Sequence, residues 1–356
     1  MKIISVNAYK KNLRLQKPYT IARETVTDVE NVFLEVKLEN GIIGIGAANP
    51  APEVVGETPA QTLQNLQSGF ITSLVGKDIR YFLNHISEAR KQFKYLPGTQ
   101  ACIDIALHDA FAQFLGISVV DFYGRHHKKM LTSVTIGIKD IKETVEEAHD
   151  YYKKGFRILK VKTGLNPELD AERIIKIQEK FKDHFIIRVD ANTGYNIDDL
   201  KLFIQLTKTH PVELIEQPLH PSIDHELSQL PESIRSVLAA DESLKDTDAA
   251  FKLAQEKLYG IFNIKLMKCG GISAAFEIAN IAKPADIKLF WGCNDESIVS
   301  ITAALHAAFA CPHTKYIDLD GSFDLAEDVV TGGFILKGGY MHIDDKPGLG
   351  LCLYTP

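Results

Sequence analysis

Three acids and three lysines are spaced along this 356-residue chain as though they shared one site: Asp190 in FIIRVD, Glu216 in VELIEQP, Asp241 in SVLAAD, Lys160 and Lys162 in RILKVKTG, and Lys265 in IFNIK. Each closes a short apolar run. In a strand, residues i and i+2 face the same way, so the ammonium groups of KVK project together. An isolated pair of this kind reads as a solvated strand end. Crowded into one place, two cations lower each other's pKa and leave one able to act as a neutral base near about pH 7. Three carboxylates beside them repel one another unless a hard cation lies among them. Mg2+ is the expectation, one per subunit, because it takes few protein oxygens and leaves positions for substrate. Zinc would recruit histidine or cysteine, which these positions lack. Such a set suits removal of the weakly acidic proton next to a carboxylate, with a lysine as base and the metal stabilising the enediolate.

The elements that must position these groups can be read from the same stretches. Lys162, Asp190, Glu216, Asp241 and Lys265 follow one another at intervals of 28, 26, 25 and 24 residues, about one βα unit each. SVTIGI, IKLFWG and KYIDLD continue the series on either side. A (β/α)8 barrel collects the C-terminal ends of its strands at one mouth, so the charged run-ends converge there. Singly, each acid reads as a helix N-cap or a solvated strand end; three in register on successive strands do not. Before the barrel, NVFLEVKLE leading to the turn ENGIIGIG predicts an antiparallel meander. Helical periodicity over QTLQNLQSGFITSLV and ACIDIALHDAFAQFLG, the second closed by a glycine, completes a small α+β unit.

Composition narrows the function classes. The chain is 45% apolar and 24% charged with a formal charge of −6, its signs interspersed, so neither a nucleic-acid stripe nor a polybasic membrane patch is present. No run of eighteen apolar residues occurs, and MKIISVNAYK lacks a leader's apolar core, which sets cytoplasmic location as the expectation. Cys102, Cys269, Cys293, Cys311 and Cys352 are scattered without CxxC spacing, against a disulfide framework or a thiolate zinc site. A small-molecule substrate is the expected partner, and a homo-oligomer the expected assembly.

KVK, VDAN, IEQP, ADES and NIKLMKCGG, in this order, resemble the enolase superfamily, within it the muconate-lactonizing-enzyme subgroup, and there the dipeptide epimerases. The resemblance spans essentially the whole chain. It implies an α/β fold, a modified TIM barrel of (β/α)7β form over residues 126–320. An α+β capping domain over 1–125 would be completed by the C-terminal segment 321–356. It also implies Asp190, Glu216 and Asp241 as metal ligands, Lys162 and Lys265 as acid/base lysines on opposite faces of the substrate, and Lys160 as a holder of the substrate carboxylate. By the same likeness Lys162 handles the (R) and Lys265 the (S) configuration. Lys268 has no role in that pattern and reads as a solvated or structural lysine.

KYIDLD separates the branches of the subgroup. Asp318 and Asp320, two residues apart, would both face the mouth and attract an ammonium group, as in dipeptide epimerases. A cycloisomerase or o-succinylbenzoate synthase of the same subgroup, using the same lysines on a substrate without an ammonium group, stays as the alternative, whereas a mandelate-racemase-like mechanism wants a late histidine that 261–265 and 287–296 lack. A non-catalytic binding barrel would not need the complete set of ligands and bases. Thr135 and Cys293 match substrate-contact positions, with packing as the competing reading, and Arg23 matches the arginine that meets a glutamate side chain in L-Ala-D/L-Glu epimerases. Asp295 departs from that pattern. Its charge would repel a glutamate by about 1 kcal/mol or more at 4 Å, so the expected substrate is Ala-Xaa with a small or neutral Xaa, unless Asp295 merely complements the dipole of a following helix.

Overall fold

A computed structural model describes residues 1–21, 24–50 and 52–354. The meander forms as its alternation demands: β1 (Ile3–Ile21), β2 (Glu24–Leu38) and β3 (Ile43–Ala48) pair antiparallel, and Gly41 supplies the positive φ of 87° that the second turn requires. One face of this sheet lies on the helix Pro97–Leu115. The approach is close enough that a Cβ on Gly46 would stand 1.9 Å from the carbonyl oxygen of Cys102, so β3 can be packed there only as glycine. Gly116, at φ 72°, ends the helix as its sequence predicts. QTLQNLQSGFITSLV differs from expectation: it is two short helices, Pro59–Leu66 and Gly69–Thr72, separated where Ser68 turns extended. Serine and glycine together give the chain a poor place to continue a helix.

After the helices, β4 (Met130–Leu131) leads into eight parallel strands: β5 (Val134–Ile136), β6 (Ile158–Lys162), β7 (Ile186–Asp190), β8 (Leu214–Glu216), β9 (Leu238–Ala240), β10 (Ile261–Ile264), β11 (Lys288–Trp291) and β12 (Thr314–Ile317). They lie in sequence order, and a parallel bridge from Thr132 to Ile317 joins the first edge to the last. The ring has a consequence for the site: β6 and β10 are four places apart among eight, on opposite sides of the mouth. Inside, Leu214, Ala239, Ile261, Phe290 and Tyr316 form a separate apolar floor.

After the barrel come β13 (Val330–Gly332), β14 (Phe334–Lys337), β15 (Tyr340–Ile343) and β16 (Leu351–Leu353), with β15 pairing to β4. This segment also returns to the first domain: the Gln16 amide donates to the Asp324 carbonyl at 2.7 Å, and the Leu349 amide to Oδ1 of Asp109 at 2.8 Å. Among the described residues no helix is long and apolar enough to cross a membrane.

Candidate active site

Parallel register brings the charged run-ends level. Lys162 of β6 pairs with Asp190 of β7, and Asp190 with Glu216 of β8; Asp241 and Lys265 each stand one residue beyond β9 and β10. The three acids therefore occupy one arc of the mouth, Lys162 and Lys265 its two ends, and Thr135, Cys293, Asp318 and Asp320 the opposite arc.

Lys160 lies at the centre. Its Nζ is 3.0 Å from Asp190, 2.9 Å from Glu216 and 2.9 Å from Asp318. Burial pulls its pKa down, but the three carboxylates outweigh burial and hold it well above the usual lysine range. The expectation that the KVK lysines depress each other is thus overturned at Lys160, because three carboxylates surround its ammonium. Lys162 donates to Oδ2 of Asp190 and Oδ1 of Asn192, each at 2.7 Å. Opposite it, Lys265 donates to Oδ2 of Asp241 at 2.8 Å; burial opposes its charge, but Asp241 and Glu216 hold its pKa up. Burial works against ionisation of Asp190 and Asp241 too, yet Lys160 and Lys162 at the first and Lys265 and Lys268 at the second keep both carboxyls well below the usual range. Glu216 is the exception: burial and the charge of Asp190 push it up to about 8.

On the other arc, Asp318 is already engaged. Its Oδ2 accepts from Lys160 at 2.9 Å and its Oδ1 from Ser133 Oγ at 2.6 Å, and despite burial these partners lower its pKa. Asp320 accepts the Thr135 amide at 2.8 Å, and burial together with Asp318 pushes it up to about 7. Cys293 Sγ is 3.3 Å from the Asp318 carbonyl oxygen. Asp295 is half-buried on the loop after β11, its carbonyl accepting from Asn49 Nδ2 at 2.5 Å while Asn294 Nδ2 donates to the Asn49 carbonyl at 3.1 Å. The following helix begins at Ile298 with Ser297 as its cap, so Asp295 lies before the first turn. Arg23 lies outside the described residues.

Several partners escaped the sequence reading. Lys268 is buried, not solvated; it is bonded to the Asp241 carboxylate, to the Asp241 carbonyl at 2.6 Å and to the Asn263 carbonyl at 3.1 Å. Asn263 Nδ2 donates to Glu216 Oε1 at 2.8 Å, and Arg188 reaches Ser133 Oγ at 3.2 Å and the Ile317 carbonyl at 2.7 Å. The same i, i+2 rule that links Lys160 to Lys162 would have found two of them, since Arg188 precedes Asp190 and Asn263 precedes Lys265 by two residues.

A divalent cation fits the donor set. Oε2 of Glu216 is buried and has no hydrogen-bond partner, since Lys160, although 2.9 Å away, lies off the hydrogen-bonding direction. Three carboxylates and no histidine or thiol at these positions suit a hard ion that takes oxygen. Among the described residues no three acidic, His or Cys side chains already close into a cage; ammonium groups stand between the carboxylates instead.

Residues 3–124 match the N-terminal domain of mandelate racemase and muconate lactonizing enzyme, and residues 143–354 match the family described as enolase C-terminal domain-like. An L-Lys-D/L-Arg epimerase of Desulforapulum autotrophicum is 51% identical over 99% of both chains. An L-Ala-D/L-Glu epimerase of Bacillus subtilis is 28% identical over 99% of this chain and 97% of its own. A crystal structure of a dipeptide epimerase from Methylococcus capsulatus, complexed with Mg and the dipeptide L-Arg-D-Lys, superposes with a TM-score of 0.96 at 44% identity, covering 99% of this chain and 100% of that one.

Proposed function

This chain belongs to the enolase superfamily, in its mandelate racemase and muconate lactonizing branch, and from that premise we propose that it is a dipeptide epimerase that inverts the α-carbon of the C-terminal residue. The observation that carries the reading is the placement of Lys162 and Lys265 at opposite ends of the carboxylate arc, four strands apart in a ring of eight. A substrate carbon held between them has one lysine on each face.

The reaction needs one lysine neutral and the other charged. The neutral amine takes the α-proton, the electron pair of the C–H bond passes into the adjacent carboxylate, and the opposite ammonium delivers a proton to the other face. Reversal exchanges the roles, with Lys162 assigned to the (R) and Lys265 to the (S) configuration. Asp190, Glu216 and Asp241 would hold Mg2+, whose charge lowers the cost of the enediolate. Lys160 adds a fixed positive charge beside the substrate carboxylate. On the far arc Asp320, and Asp318 where Lys160 turns to substrate, receive the free α-ammonium. Thr135 and Cys293 line that arc. Location in the cytoplasm belongs to the same proposal and is supported by five cysteines that are all free.

For the side chains, a dipeptide of basic residues is the favoured reading. Asp295 stands beside the mouth and attracts a cation, and the relatives at 51% and 44% identity carry names for lysine and arginine dipeptides. Ala-Xaa with a neutral Xaa is the second reading, because Asp295 repels a glutamate in either case. Incubation with Mg2+ in D2O, comparing Lys-Arg, Ala-Ala, Ala-Glu and N-acetylated dipeptides for uptake of one deuteron by mass spectrometry, tests all of this. Exchange fastest with Lys-Arg supports the favoured reading. Exchange with N-acetyl dipeptides as fast as with free ones would sink the dipeptide assignment in favour of a cycloisomerase.

A further inference from the structure

Gln217 follows Glu216 in the chain, is fully buried, and holds φ at 32°, a region that non-glycine residues seldom occupy. Its main chain ties two neighbouring strand ends together: its amide donates to the Ala239 carbonyl at 2.8 Å, and its carbonyl accepts from Thr193 at 2.8 Å. Thr193 belongs to the loop directly after Asp190, itself at a positive φ of 66°. The side chain reaches the third strand end. Oε1 accepts the amides of Asp241 at 2.8 Å and Ser243 at 3.1 Å, while Nε2 donates towards the Leu219 carbonyl at 2.9 Å, Ser243 Oγ at 2.8 Å and Tyr259 Oη at 2.9 Å.

One side chain therefore grips the backbone of Asp241 while its own backbone is continuous with Glu216 and bonded to the loop of Asp190. We propose that Gln217 is a positioning residue that sets the spacing of the Asp190, Glu216 and Asp241 carboxylates, and through it the affinity for the divalent cation. The inference rests on the reading that these three acids hold such an ion. Its two halves have separable duties. Oε1 fixes the amide of Asp241, whereas Nε2 anchors Gln217 to a buried network in which Tyr259 Oη donates to Asp224 at 2.7 Å.

The test is a Mg2+ titration of the full chain, read by thermal shift and by calorimetry, for the parent, Gln217→Met and Tyr259→Phe. Methionine keeps the length and apolar volume but removes the grip, so the Mg2+ midpoint should rise roughly 10- to 100-fold, with deuterium wash-in returning at saturating Mg2+. Tyr259→Phe should lower the Tm and leave the Mg2+ midpoint within about twofold of the parent. Gln217→Asn, which withdraws the amide by one carbon, carries the same expectation if Gln217→Met does not fold. A lower Tm with an unchanged midpoint in the Gln217 variants, or an equal shift of the midpoint in Tyr259→Phe, overturns the inference. A parent with no Mg2+ response overturns the cation reading and the inference with it.

Discussion

Two regions of the molecule satisfy their buried carboxylates in different ways. At the barrel mouth, Asp190, Asp241 and Asp318 are matched chiefly by lysine ammonium groups at the ends of flexible stems. Along the seams of the long helix Pro97–Leu115, with the rest of its own domain, with the C-terminal segment and with the barrel, they are matched largely by backbone amides. Glu57 accepts Gly98 N–H at 2.7 Å and Thr99 N–H at 3.0 Å at the start of the long helix, and Asp104 accepts Ile272 N–H at 2.7 Å at the start of another. Asp109 binds Ile45 and Leu349 N–H at 2.9 and 2.8 Å. An amide donor is fixed by the chain, whereas an ammonium can let go and give its place to a cation or a substrate. The same residue type is structural in one setting and available for chemistry in the other.

The largest expected effect breaks the mouth. Lys265→Ala should lower epimerisation by roughly a thousandfold or more, since the proton transfer proposed for it would have no substitute, while folding is retained. Deuterium wash-in from one substrate stereoisomer should survive, and Lys162→Ala should show the opposite preference. Equal loss of exchange from both isomers in both variants would remove the division of faces between the lysines.

The seam should respond in the opposite currency, stability without chemistry. Glu57→Ala leaves the Gly98 and Thr99 amides and the hydroxyls of Thr62 and Thr99 without their shared acceptor. A loss of about 3 to 5 kcal/mol in urea unfolding is expected, with kcat/KM per folded molecule unchanged. A fall in kcat/KM at full folding would join Glu57 to the mouth instead.

A pH series sharpens the contrast at Asp109, which burial pushes up to about 6 against the opposing pull of the Ile45 and Leu349 amides. The unfolded chain releases this proton near about pH 3.9, so between there and 6 the folded state binds the proton more tightly. This group's stabilising contribution is therefore fully present below about pH 3.9 and lost as pH rises through 6, about 3 kcal/mol in all. Asp109→Asn removes that dependence, at the cost of turning an amide N–H toward one of its donors. The parent's stability should decline by about 3 kcal/mol more than the variant's between about pH 4 and 7 in urea unfolding; parallel curves would show that Asp109 does not titrate there.

The mouth was far more legible in the sequence than the seam. Strand periodicity of two and a βα interval of about 25 residues suffice to carry Lys160, Lys162, Asp190, Glu216, Asp241 and Lys265 to one place. Glu57, Asp104 and Asp109 gave no such signal, because a carboxylate bound to backbone amides needs no partner of particular residue type. The sequence left Lys268 open between a solvated and a structural lysine for a related reason: spacing indicates which residues share a strand face, but not that a short helix, Leu266–Cys269, folds its lysine back beneath Asp241. Gln217 was invisible as well, since its grip depends on a positive φ that the sequence EQP does not announce.

Within the mouth, the two aspartates of KYIDLD should differ. Asp318 is tied to Lys160 and Ser133, whereas Asp320 is held by the Thr135 amide. Asp320→Asn should reduce kcat/KM for a free dipeptide by about ten- to a hundredfold, the worth of one charge-assisted contact to the α-ammonium, mostly through KM. N-acetylated dipeptides, poor for the parent, should be no poorer for the variant. If both substrates fall together, Asp320 supports the fold of the arc rather than the ammonium.

The smallest effect is expected at Asp295, and it decides between the two substrate readings. Asp295 lies beside the mouth on a half-buried loop clasped by Asn49, so its interaction with a substrate side chain is partly screened. At about 4 Å such a pair is worth roughly 1 kcal/mol in water and up to about 4 at an effective dielectric of 20, which sets a severalfold effect on kcat/KM as the expectation near the wet end of that range. Asp295→Asn keeps the shape and removes the charge. If the enzyme acts on basic dipeptides, the variant should lose severalfold on Lys-Arg, hold its rate on Ala-Ala and gain slightly on Ala-Glu, and the loss on Lys-Arg should shrink as salt is raised. If it acts on neutral Ala-Xaa dipeptides, only Ala-Glu should move, because an anion that merely excludes has nothing to attract. An unchanged ranking of all three substrates would take Asp295 out of specificity altogether and return it to its loop, as a residue whose carbonyl, not its charge, joins the cap to the barrel.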